Sequence, residues 1–123
     1  MLNFNSILIG SENPKKLAEF YENVLAVKPE WQEGDWTGFQ VGTGHIAIGP
    51  HDKVLGKSQH PERLIVNLET LNVQIEFDRI KGLGAQVVAA PYQPEQAKDM
   101  WIATFADTDG NYFQLMSPMP KSN

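Results

Sequence analysis

The chain has 123 residues, a formal net charge of −5, 41% hydrophobic and 20% charged residues, the composition of one ordinary globular domain. Its 10 Lys and Arg are scattered, with only Lys15-Lys16 adjacent, so no basic stripe exists to meet a polyanion and no nucleic-acid partner is expected. The lack of cysteine excludes disulfides and thiol catalysis, and no apolar run approaches the roughly 20 residues that span a bilayer.

Residues 4 to 10 read as a strand, short and apolar, ended by Gly10-Ser11. Asn13 stands at an N-cap position before Pro14, a strong helix start. Leu17, Phe20, Tyr21, Val24 and Leu25 follow at helical spacing as one apolar stripe, and Lys28-Pro29 ends the helix. Glycines at 34, 38, 42, 44 and 49 then cut the chain into pieces too short for helices. Strands are expected near 30–33, 36–41 and 45–49, as an antiparallel meander. Residues 50 to 62 are polar and turn-rich, a connector.

A second unit opens with a strand over 63–69, where Leu64, Val66 and Leu68 alternate with Arg63, Ile65 and Asn67. Thr70 or Asn72 caps a helix carrying Val73, Phe77 and Ile80 on one face, which Gly82 and Gly84 stop. Gln86 to Ala90, a Pro-rich loop at Pro91 and Pro94, and strands near 100–106 and 112–116 complete the unit. The tail from Pro118 is expected to fray. Between the last two strands, Asp107-Thr108-Asp109-Gly110-Asn111 has the wrong spacing for a calcium loop, with Gly fourth and Pro118 in place of the final Glu. It reads as a tight turn in which Gly110 takes a positive φ. Matching features recur at an offset of about 58 to 67 residues, so the chain is a tandem repeat. Module one covers residues 1–50, the connector 50–62 and module two 63–118, within one domain of 1–123.

The Phe20-Tyr21 and Val24-Leu25 helix ending, the Gly84-Ala85 stop, and Asp107, Asp109-Gly110-Asn111, Phe113 and Leu115 together resemble the vicinal oxygen chelate superfamily. That group includes glyoxalase I, bleomycin-resistance proteins, fosfomycin-resistance enzymes and extradiol dioxygenases. The resemblance covers residues 4 to 118. It implies an α+β fold of two tandem βαβββ modules whose curved mixed sheets enclose a cavity. In metal-dependent members, four side chains from the first and last strands of each module hold one divalent ion. Carried onto this chain, those positions fall on Ser6 (or Asn5), Ala47, Ile65 or Arg63, and Gln114. Ala and Ile have no ligand atoms, and a hydroxyl with a neutral amide binds divalent ions weakly. The expectation is therefore a small-molecule-binding protein of the glyoxalase/bleomycin-resistance kind, with no metal or other cofactor. The alternatives are a metal-dependent lyase, isomerase or dioxygenase using other ligands, and an interaction module whose cavity is vestigial.

Seven residues are expected to bind the ligand. On the last strand Tyr112, Gln114 and Met116 share the face opposite Phe113 and Leu115, so Gln114 and Tyr112 should line the cavity. Asn67 joins them by alternation. Trp36, Phe39 and Trp101 are aromatics outside the helix stripes, in regions rich in strands. His45 opens a strand beside Gly44 and can reach a cavity mouth, whereas His51 and His60 lie in the connector as surface groups. Such a pocket suits a small organic ligand. The superfamily resemblance implies a homodimer. Met1-Leu2-Asn3-Phe4-Asn5 lacks the basic region and apolar core of a secretory signal, so the expected location is cytoplasmic, with no membrane association.

Overall fold

A computed structural model describes residues 1–118, and the tail expected to fray past Pro118 lies outside the described residues. The described elements run β1 (Ser6–Ser11), α1 (Pro14–Leu25), β2 (Trp31–Glu33), β3 (Trp36–Val41), β4 (Gly44–Pro50), β5 (Val66–Glu69), α2 (Val73–Gly82), β6 (Gln86–Tyr92), β7 (Ile102–Ala106) and β8 (Tyr112–Met116). They fall into two compact units, Met1–Lys57 and a second beginning at Ser58. Each holds a four-stranded mixed sheet, in the order β1-β4-β3-β2 or β5-β8-β7-β6. In both, the first and last strands pair in parallel and the other pairings are antiparallel. The two βαβββ modules expected from the repeat are present.

Module one begins where the local chemistry fixes it. The Ser11 hydroxyl accepts from the Asn13 N–H at 3.0 Å, and Asn13 Oδ1 accepts from the Lys16 N–H at 3.4 Å. With Pro14 in the first turn, these bonds start α1. The helix closes at Ala26, a left-handed cap (φ 55°) whose N–H donates to the Glu22 carbonyl at 3.0 Å. Leu17, Tyr21 and Val24 are buried, as are Phe39, Ile46 and Ile48 of the sheet. Burying such a side chain contributes about 1.5–3 kcal/mol each.

Module two repeats the scheme with other residues. Asn72, not Thr70, caps α2: its Oδ1 accepts from the Ile75 N–H at 3.0 Å, while Thr70 Oγ1 accepts from Asn72 itself. Val73, Phe77 and Ile80 are buried, with Phe105, Phe113 and Leu115. The aromatic rings continue as a row, Phe77 to Phe105 at 5.2 Å and Phe105 to Phe113 at 5.5 Å between centroids. Two strand boundaries differ from expectation. β5 starts at Val66 because the Arg63 N–H donates to the His60 carbonyl at 3.1 Å, forming a turn that leaves Leu64 exposed. β6 runs through Pro91 to Tyr92, where a loop was expected. It ends the sheet order, and register shifts on either side of Ala89 mark irregularities of the kind that accommodate proline.

The turn before β8 is built as the sequence indicates. Asp107, 5% exposed, accepts from the N–H groups of Asp109 (2.9 Å) and Asn111 (3.0 Å), and Gly110 sits at φ 80°. Gly110→Ala should lower stability by about 1 kcal/mol, because a Cβ is forced into the left-handed region. Urea unfolding measures this, and an unchanged midpoint would refute the account of the turn.

Candidate functional site

Alternation along the strands sorts each sheet into a face against its helix and a face without one. In module two the helix-free face carries a polar row: Asn67 on β5, Gln114 on β8 and Thr104 on β7 are register partners. Gln114 Nε2 donates to Thr104 Oγ1 at 3.1 Å. That bond fixes the amide, leaving its second N–H and its carbonyl oxygen free to address a ligand. Thr104 is itself 5% exposed, so the hydroxyl anchoring the amide is buried. Tyr112 and Met116 flank Gln114 on the same side, both half-buried, while Phe113 and Leu115 point to the core.

In module one the corresponding row is Leu8, Ala47, Gly38 and Trp31, again register partners across four strands. Two indoles rest on this face. A Cβ placed on Gly38 would lie 2.1 Å from Trp31 Nε1, and one on Gly49 would lie 2.1 Å from Trp36 Cε3. Each tryptophan therefore occupies space that only glycine leaves open. One step along the sheet, His45 is in register with Ser6 and Gln40, and its Nδ1 lies 3.2 Å from Glu30 Oε2.

The structure brings Gln114, Tyr112 and Asn67 to one face of module two, and His45 and Trp36 to one face of module one. Two of the expected residues are elsewhere. Phe39 is 1% exposed, paired with Ile46 in the core. It lies an odd number of residues from Trp36 on one strand, so both cannot share a face. Trp101 precedes β7 in phase with Ala103 and Phe105, on the helix side. It is tied to Ser117, its N–H donating to Oγ at 2.9 Å. There it borders a separate pocket of about 270 Å³ with Leu71, Val73, Pro91 and Ser117.

Glu30 and Thr104 were not anticipated. Thr104 was within reach of the sequence, since counting back from the Asp107–Gly110 turn sets it opposite Gln114. Glu30 was not, because its approach to His45 depends on how the β2–β3 hairpin folds back.

The positions of the superfamily's metal quartet can now be tested. Opposite Ala47 on β1 stands Leu8, not Ser6, and opposite Gln114 on β5 stands Asn67. Arg63 and Ile65 precede β5 altogether. Two aliphatic side chains and two neutral amides do not fit a divalent ion. Among the described residues, no group of three or more His, Cys, Asp or Glu could hold one.

The sequence matches the glyoxalase-like domain family over residues 6–116. The chain belongs to that family. A comparison with curated proteins gives no match. Among solved structures, a glyoxalase/bleomycin resistance protein/dioxygenase family enzyme from Burkholderia phytofirmans is similar at TM-score 0.77 and 15% identity, over 96% of this chain and 100% of that one. A genomically encoded fosfomycin resistance protein from Listeria monocytogenes gives TM-score 0.70 and 16% identity, over 97% and 93%. A lactoylglutathione lyase from Agrobacterium tumefaciens gives 0.72 and 11%, over 94% and 92%. At these identities the likeness establishes the glyoxalase-like fold and nothing finer.

The indole-on-glycine packing in this glyoxalase-like chain is open to a direct check. Gly49→Ala should cost about 1–3 kcal/mol, because its Cβ displaces the Trp36 ring from an occupied site. Denaturant unfolding should show the loss together with a shifted tryptophan emission. Unchanged emission would mean that Trp36 does not lie over Gly49.

Proposed function

We propose that this glyoxalase-like protein binds a small organic molecule on the helix-free faces of its sheets, without the four-ligand metal centre of the superfamily. The observation that carries the reading is the Gln114–Thr104 pair, an oriented amide flanked by Tyr112, Met116 and Asn67. A fixed amide among apolar and aromatic side chains holds a neutral ligand by hydrogen bonds and stacking, which needs no ion. Structural relatives named for fosfomycin resistance and as a lactoylglutathione lyase are consistent with a small-molecule site on this fold. The donor set at Leu8, Ala47, Asn67 and Gln114 argues against a resident divalent metal.

The protein is proposed to act as a cytoplasmic homodimer. The sheets end on β2 and β6, edges that can pair with a second chain, and no described helix is long and apolar enough to cross a membrane. Light scattering should give twice the 13.8 kDa chain mass at micromolar concentration. A monomer mass across that range would remove the dimer.

Native mass spectrometry of protein taken directly from cells should show an organic ligand and no stoichiometric Zn, Ni, Fe or Mn. Gln114→Ala should weaken binding of that ligand about 2- to 12-fold, the equivalent of one net hydrogen bond. Transition metal that survives gel filtration and is lost in the same variant would overturn the reading in favour of metal-dependent chemistry.

A further inference from the structure

Module one's helix-free face carries a feature that an amide-and-aromatic site does not require. His45 Nδ1 lies 3.2 Å from Glu30 Oε2, with 37% of the histidine side chain and 46% of the glutamate side chain accessible. Glu30 is held by its backbone, its N–H donating to the Gly38 carbonyl at 2.7 Å. A carboxylate at Nδ1 keeps the proton on that nitrogen and leaves Nε2 as the acceptor. The other groups in register with His45 are uncharged: Ser6 on β1, and Gln40 on β3, whose amide donates to the Gly42 carbonyl at 3.3 Å. One step along the same face the floor is low, made by Ala47 and Gly38, and Trp31 lies over Gly38. An accepting nitrogen, a low floor and an indole thus lie side by side on one sheet face.

The geometry points to a proton-accepting dyad: His45, backed by Glu30, takes the hydroxyl proton of a planar phenolic ligand laid against Trp31. The inference rests on the reading of the helix-free faces as ligand surfaces and adds the ligand's class. The ring stacks on the indole, and its hydroxyl meets Nε2. The O–H bond breaks, its electron pair stays on the phenolic oxygen, and the proton is held on Nε2 until release returns it. Nothing is consumed. The imidazolium so formed is stabilised by the Glu30 carboxylate on one side and the phenolate on the other, a charge-assisted arrangement stronger than a neutral hydrogen bond.

The test uses 4-nitrophenol, whose phenol and phenolate forms absorb at different wavelengths, with nitrobenzene as the ring lacking the hydroxyl. At a pH where the free probe is protonated, probe bound to the wild-type protein should show phenolate absorption. His45→Gln should abolish that absorption and weaken binding about 10- to 100-fold, the loss expected of a charge-assisted bond, while leaving nitrobenzene affinity unchanged. Glu30→Gln, which preserves shape, should retain binding but lower the phenolate fraction. His60→Gln, in the connector, should change neither, and circular dichroism should show all variants folded. Bound probe that stays as the phenol, variants that leave its spectrum unaltered, or no binding of the probe would each overturn the dyad. None of these results touches the amide site, which is read separately by Gln114→Ala against the ligand that co-purifies.

Discussion

The parallel pairing of the first and last strand in each module is the constraint on which the remaining arrangement depends. Two strands that run the same way need a connection that crosses a face of the sheet. In both modules a helix follows the first strand, packs on one face and buries it. Leu17, Tyr21 and Val24 meet one sheet in this way, and Phe77 and Ile80 the other. The opposite face of each sheet then has no helix of its own module. Since side chains alternate, register alone decides which residues reach it. The candidate functional groups on the strands follow from that sorting.

This explains which parts of the site were legible in the sequence. The order of elements, the Asn13 cap, the Asp107–Gly110 turn and the alternation of Gln114 against Phe113 all rest on local signals, and each was readable. Phe39 was assigned to the ligand face on aromatic character, although its spacing from Trp36 sends the two to opposite sides. Parity carries more information here than residue type. Gly38 and Gly49 fall within the expected strands and lie inside β3 and β4. Their role is to receive an indole at close range, which depends on register partners distant in sequence. Trp101 was assigned on the same aromatic character. Its exchange of backbone and hydroxyl hydrogen bonds with Ser117 ties it instead to the end of β8.

The repeat also shows how fold and chemistry separate. Ala47 and Gln114 occupy matching places in the two sheets, each beside its parallel partner on the first strand of the module. The backbone scheme is the same, but one position offers a methyl group and the other an amide. A divalent ion needs several anionic or imidazole donors converging on a point. An amide instead reads the shape and polarity of a neutral ligand. Membership of the glyoxalase-like family therefore fixes the backbone scheme without fixing the chemistry built on it.

The two helix-free faces differ in the polar groups they carry. Asn67, Thr104 and Gln114 present neutral amide and hydroxyl groups, so the polar row of module two donates and accepts hydrogen bonds. Module one instead sets the His45 imidazole beside the Glu30 carboxylate, Nδ1 to Oε2 at 3.2 Å. The repeat has thus set two different groups of side chains on one backbone scheme: amides and a hydroxyl in module two, and an imidazole beside a carboxylate in module one.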